Sequence, residues 1–360
     1  MGRSHTDSHR SQESAGTADP ARACIPAVPI LLLGYGPVGR HYARLVRENR
    51  ELVRERYGCD LHIAGIRTSS RELMLGVGAT GPPSPQEDWQ PRASLTDALA
   101  TIRPRVAVQA VPSDAHRAKA ALSDALAVLT HGAHLVTATK SPLLSGWSEL
   151  QTAARRASRA IRISGATGAA LPAGDFARTV LRGFDVDEVR GCLNGTATFV
   201  LDTLAEGETL AAAVKVAQRK GIAEADPSAD LSGADAATKL RLLTALLWQW
   251  DPADCDGALE TIDQSTAGRA VRARRHGAVV RHVAAARLEN PGVVEVSLRE
   301  FDSSQLPFGV LRGPEKAVTF SCGDAGEITV SGGRSSPVGA ARAMFKDTLA
   351  LLPGSGSGFF

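Results

Sequence analysis

The chain has 360 residues, 43% of them hydrophobic and 22% charged, with 41 Lys and Arg against 38 Asp and Glu. That length suits two domains and a substantial core, and a formal charge of +3 gives no support to nucleic-acid binding. Five scattered cysteines without CxxC spacing argue against a zinc site or a disulfide framework and suit a reducing cytoplasm; no apolar run approaches the ~20 residues of a membrane span.

Residues 1–26 are polar, lack the apolar segment of a signal peptide and read as a disordered tail. Ala27 to Leu33 is an apolar run fit for a buried parallel strand. GYGPVG follows at once (Gly34, Gly36, Pro37, Val38 and Gly39), and residues 41–56 read as one helix. Strand, glycine turn and helix form the context of a dinucleotide-binding turn. Gly34 allows the tight turn, Gly36 the approach of a pyrophosphate, and Gly39 the close packing of helix on strand.

The next strand, Leu61 to Ile66, runs into Arg67, Thr68, Ser69, Ser70 and Arg71, where an NAD-preferring site places an acid. Arginine and hydroxyls suit a 2′-phosphate, so the expected cofactor is NADP, with NAD possible and Arg67 in contact; the competing reading makes both arginines ordinary surface charges. Gly76 to Arg92 reads as a surface loop. A helix over 95–101, a strand over 106–111, a helix over 115–131 and a strand over 133–137 follow, the last ending in Ala138, Thr139 and Lys140. A helix over 147–159 and a strand over 160–163 complete a doubly wound α/β sheet spanning 27–163. Ligands sit at the carboxyl ends of such strands, where Lys140 lies, although a lysine there is by itself a solvated loop charge.

A second, α+β unit spans 164–335. It opens with a helix over 175–181 and a strand over 189–193 that runs into NGTATF, with Asn194, Gly195 and Thr196 at its end. Helices over 199–204 and 210–220 lead to GIAEADPSADLSGADAATK, residues 221–239, which holds four carboxylates and a lysine. A helix starts near Ser232 or Gly233 and continues through LRLLTALLW. At about 100° per residue, Asp235 and Lys239 fall inside the arc of Leu242, Leu243, Leu246 and Leu247, with Arg241 and Thr244 opposite. An ordinary helical ion pair, worth ~0.2–0.5 kcal/mol, belongs on the polar face. This one points where the helix buries itself, and buried charges are costly unless paired or used. Asp226, before Pro227, reads as a turn residue. Two strands within 278–298, short strands at 318–320 and 328–330, a helix over 340–351 and a flexible tail at 353–360 end the chain.

Taken together, GYGPVG, the strand end TATK, NGTATF and above all the acidic run resemble the homoserine dehydrogenase family, from about Ile30 to Leu351. The resemblance implies a Rossmann-type dinucleotide domain, a substrate-binding and dimerisation domain, a helix at 336–352 that returns to the first domain, and a homodimer. It implies the NAD(P)H-dependent, reversible reduction of L-aspartate 4-semialdehyde to L-homoserine, a step toward threonine and methionine. The family's proposed catalytic lysines fall on Lys140 and Lys239, and its substrate-binding acids on Glu224, Asp230 and Asp235, with Gly195 and Thr196 beside them. Lys140 also borders the cofactor.

Reducing an aldehyde requires a proton for the developing alkoxide, and a free lysine, pKa about 10.4, is a poor base near neutrality. A second cation beside it lowers that value, which Lys140 and Lys239 facing each other across the cleft would do; Asp235 would orient Lys239. Three departures stand out. Ser164 takes the position of an acid and GAALP (Gly168 to Pro172) that of a glycine run, which makes a monovalent cation doubtful; no other metal is expected. SGGRSSPVG puts Arg334, Ser335 and Ser336 in place of small residues; with the change at Ser164 this motivates an alternative, a relative acting on a different aldehyde or ketone in specialised metabolism. The chain stops at Phe360, so feedback through an appended regulatory domain is not expected.

Overall fold

The computed structural model describes residues 25–76, 81–114 and 116–352. The tail readings for 1–24 and 353–360 lie outside the described residues. A seven-stranded sheet holds β1 (Ala27–Leu33), β2 (Asp60–Arg67), β3 (Arg71–Met74), β4 (Gln90–Pro91), β5 (Val106–Gln109), β6 (His134–Thr137) and β7 (Ile161–Arg162), in the order β4-β3-β2-β1-β5-β6-β7. Strands β2, β1, β5, β6 and β7 run parallel. Most of their residues are apolar and buried, as a sheet covered on both faces requires. The chain winds one way from β1 to β2 and the other way from β5 on, so the crevice for a ligand opens between β1 and β5.

Strand β3 lies in a stretch where the sequence predicts no element, and β4 in one that reads as a surface loop. They are antiparallel edge strands of four and two residues, too short to show an alternating pattern. The expected helix over 41–56 is two helices, Pro37–Glu48 and Arg50–Tyr57, broken at Asn49. Asn49 Nδ2 donates to the Leu45 carbonyl at 2.8 Å, the local competition with the backbone that makes Asn a poor interior helix residue.

The second sheet is antiparallel: β8 (Glu188–Cys192), β9 (Ala278–Arg287), β10 (Glu295–Asp302), β11 (Lys316–Ser321) and β12 (Glu327–Gly332), ordered β10-β9-β8-β11-β12. Against it lies the Gln264–Arg275 helix, started by an Asp263 capping box. Its buried face is Thr266, Ala270 and Ala273, with no large apolar side chain to announce it.

The Ala234–Trp248 helix joins the two units. Ala236, Ala237, Leu240 and Leu243 pack into the core of the second sheet. Leu242 and Ala245 pack into a core of the first. A helix held between two cores has little polar face, and Thr244, expected opposite the leucines, is fully buried, its hydroxyl donating to the Arg241 carbonyl at 2.9 Å. The Pro337–Leu349 helix lies against the Pro37–Glu48 helix, with Ala341 and Met344 in the first sheet's core and Tyr42 Oη 2.8 Å from Thr348 Oγ1. No helix among the described residues is long and apolar enough to cross a membrane.

Candidate active site

A cleft of about 1120 Å³ runs from the glycine turn to the acidic segment. At one end Gly34, Gly36, Pro37 and Val38 form its wall. Gly34 has φ +101°, and a Cβ there would sit 2.3 Å from the Ala110 carbonyl oxygen, so only glycine serves. A Cβ on Gly39 would fall 2.1 Å from the Gly34 carbonyl oxygen; Gly39 packs the helix on the turn and does not face the cleft. Gly36 differs from both, since a Cβ there meets nothing within 4 Å. It faces open cleft at the start of a helix that no side chain caps. Unmet N-terminal amides beside an open glycine fit a dinucleotide pyrophosphate.

Arg67 lines the cleft beside Thr68 and Ser69, with its guanidinium already engaged by protein groups. Its guanidinium is 2% exposed, pairs with Glu72, and donates to the Ala93 carbonyl at 2.6 Å and the Ser94 carbonyl at 3.3 Å. Arg71 is likewise engaged, with the carbonyls of Glu87 and Trp89. Both arginines anchor the edge of the sheet. Arg92, from the end of the loop and not singled out by the sequence, also borders the cleft beside Thr68 and Ser69.

At the other end the two lysines meet on one carboxylate. Lys140, following β6, donates from Nζ to Asp235 Oδ1 at 2.5 Å. Lys239, one turn after Asp235, donates to Oδ2 at 2.5 Å and to the Leu193 carbonyl at 3.0 Å. The ammonium groups therefore face each other through Asp235, so their mutual repulsion is largely offset. Burial alone would raise the Asp235 carboxyl; the two ammoniums outweigh it and hold the group well below the usual carboxylate range.

Asn194 completes the cluster and was not among the expected site residues. Its Nδ2 donates to Asp230 Oδ1 at 2.6 Å and to Asp235 Oδ2 at 2.8 Å, while its Oδ1 accepts from the Ala197 amide at 2.9 Å. NGTATF is thus an N-cap and first turn, of the Gly195–Ala205 helix, four residues ahead of the start read from the sequence. The Asn before that run was the available signal. Thr196 Oγ1 donates to the Ile222 carbonyl at 3.1 Å and ties the acidic segment to this helix. Gly195, expected at the substrate, lies instead beneath the Pro314 carbonyl oxygen, 2.4 Å from where its Cβ would be, and does not border the cleft. Asp230 is raised, chiefly by burial, with Asp235 adding to the effect. Glu224 is exposed in the cleft wall, its carboxylate without a protein partner among the described residues. Asp226 also borders the cleft and accepts from the Ser228 amide at 3.0 Å, as a turn residue does.

Where the family resemblance would put a monovalent cation, the chain's own lysine amines reach two of the oxygens. Ser164 Oγ lies 3.0 Å from Lys346 Nζ and donates to Asp347 Oδ1 at 2.8 Å. The Gly168 carbonyl accepts from Lys316 Nζ at 2.6 Å. These oxygens are already met by cations, and the donor set does not fit an alkali ion. Among the described residues no group of three His, Cys, Asp or Glu could hold a metal ion.

A doubly wound sheet whose glycine turn opens toward two lysines shared with a second unit has the build of an NAD(P)-dependent oxidoreductase, and fold and site place the chain in that class. The homoserine dehydrogenase family model matches residues 172–349. Over 216 residues the chain is 32% identical to homoserine dehydrogenase of Sulfurisphaera tokodaii, covering 59% of this chain and 66% of that protein. Over 337 residues it is 28% identical to the NAD(+)-dependent homoserine dehydrogenase of Pseudomonas canavaninivorans, covering 89% and 95%. The crystal structure of a putative homoserine dehydrogenase from Archaeoglobus fulgidus shares the fold, with TM-score 0.80 and 24% identity over 91% of this chain and 100% of that one. The family model and the curated relatives together support placing the chain in the homoserine dehydrogenase family.

Proposed function

We propose that the protein is a homoserine dehydrogenase that interconverts L-aspartate 4-semialdehyde and L-homoserine, on the route to threonine and methionine. The observation that carries this reading is the convergence of Lys140 and Lys239 on Asp235 at the floor of the cleft. A nicotinamide cofactor held in the cleft would supply the hydride for the aldehyde carbon. Lys239 gives a proton to the oxygen that becomes the alcohol, and takes it back in the reverse direction. Lys140, at a strand end, adds a second N–H donor for the alkoxide. Asp235 holds both amines in register, and Asn194 holds Asp235. Glu224 and Asp230 take the substrate ammonium, whose charge would stabilise the ionised form of Asp230.

For the cofactor, Thr68, Ser69 and Arg92 offer hydroxyls and a guanidinium to a 2′-phosphate in the way first expected of Arg67, so NADP is the preferred nucleotide and NAD the second. Cytoplasmic residence accords with four buried free thiols, Cys59, Cys192, Cys255 and Cys322. A homodimer belongs to the same family reading. The alternative of another aldehyde or ketone rests on the 334–336 turn, of which Ser335 borders the cleft. Purified protein given homoserine and NADP should produce NADPH, followed by its absorbance. Turnover of other alcohols with none of homoserine favours the alternative, and no turnover with either nucleotide contradicts the reading.

A further inference from the structure

Lys316, the first residue of β11, is 1% exposed, and its one hydrogen-bond acceptor among the described residues is the Gly168 carbonyl. A buried amine with so little compensation is costly, and neither sheet pairing nor core packing calls for one. The residue it touches opens a strained turn. Ala169 has φ +52°, a conformation L side chains adopt only where the surroundings enforce it. A Cβ on Gly168 would fall 2.1 Å from the Leu171 carbonyl oxygen.

This turn in turn supports one wall of the cleft. Gly333 lies against it so closely that a Cβ there would be 2.8 Å from the Leu171 amide nitrogen. A Cβ on Gly339 would be 3.0 Å from Ala170 Cβ. Between these two glycines run Ser335 and Pro337, which border the cleft. A continuous line of contacts thus leads from Lys316 through the Gly168–Leu171 turn to the Ser335–Pro337 wall.

We propose that Lys316 is a positioning residue of the active site, an internal amine that fixes the strained turn, and through it the cleft wall, in place of a bound alkali ion. The proposal rests on the dehydrogenase reading. The amine has a hydrogen to donate in either protonation state, so the anchor persists across the working pH range. The charged groups that bear on it are Lys239 and Asp235, on the Ala234–Trp248 helix.

Three variants test it: Lys316→Met keeps the bulk without a donor, Lys316→Gln keeps a donor, and Lys316→Ala leaves room for ethylammonium. Wild-type turnover of homoserine should be the same in potassium chloride as in tetramethylammonium chloride. Lys316→Met should lose about tenfold to a hundredfold in kcat/KM, with Lys316→Gln retaining more, as expected for a second-layer contact. Ethylammonium should restore Lys316→Ala saturably, and should raise the melting temperature of Lys316→Ala and not of the wild type. Potassium activation of the wild type, Lys316→Met activity within about twofold of wild type, or an ethylammonium effect equal in both proteins would each overturn the proposal. If the wild type does not turn over homoserine, the functional reading fails, and the melting-temperature comparison still decides whether Lys316 is an anchor. If no variant folds, the response of the wild type to potassium decides.

Discussion

Asp235 bears more of the site than either lysine does, because one carboxylate orders two amines supplied by different parts of the chain. Replacing it with Asn keeps the shape and leaves two ammonium groups near each other without a counter-charge. Asp235→Asn should lower kcat by about a hundredfold, the usual penalty for misplaced catalytic groups, with NADPH affinity within a few-fold; unchanged kcat in steady-state assays would mean the lysines need no such tether. At Lys316 the linkage of protonation to folding gives a separate sign. Burial first, and then the nearby charge of Lys239, pull its amine from 10.5 down to about 7, against a smaller opposing effect of Asp235. The folded state then resists protonation. That cost is fully present below about pH 7 and fades as pH rises toward 10.5, where the unfolded chain also loses the proton. The melting temperature of the wild type should therefore climb relative to Lys316→Met across that window. Parallel curves for the two proteins would show that the amine is not depressed.

At the scale of elements, the glycine turn divides its duties, and substitution separates them. Gly36→Val should block cofactor binding while leaving the fold intact, since its side chain would project into open cleft. Gly39→Ala should destabilise instead, because a methyl group there collides with the Gly34 carbonyl. Melting curves and NADPH fluorescence titrations distinguish the two, and an equal loss of affinity in two equally stable proteins would contradict this division. Asn194→Ala removes an N-cap, worth about 1 kcal/mol, and the donor shared by Asp230 and Asp235, so both stability and kcat should fall. The strand–turn–helix at 27–48 and the inward-facing Asp235/Lys239 pair were readable from the chain because each follows from a local period or spacing. The partner of that pair was not: Lys140 lies 95 residues before Asp235, and only the packing of the Ala234–Trp248 helix between two cores brings them together. The engagement of Arg67 was hidden for a similar reason, as its bonds to Ala93 and Ser94 depend on the short edge strands β3 and β4. Lys316 sits in a strand whose apolar run begins one residue later, so nothing local marks it as buried.

For the whole molecule, the distribution of the site over the chain matters most. Residues 34–38, Lys140, Asn194, Thr196, Glu224, Asp230, Asp235 and Lys239 share one cleft, and the Pro337–Leu349 helix returns to close the first unit near Ser164. The two units are joined at the cleft by the Lys140–Asp235 ion pair and along the Ala234–Trp248 helix by apolar packing. The measurement that tests this account most directly is turnover of homoserine with NADP by Lys239→Ala, with NADPH binding measured on the same preparation. The account predicts that kcat falls roughly 10²–10⁴-fold, the range for losing a proton-transfer group, while NADPH still binds. Turnover close to that of the wild type would contradict it.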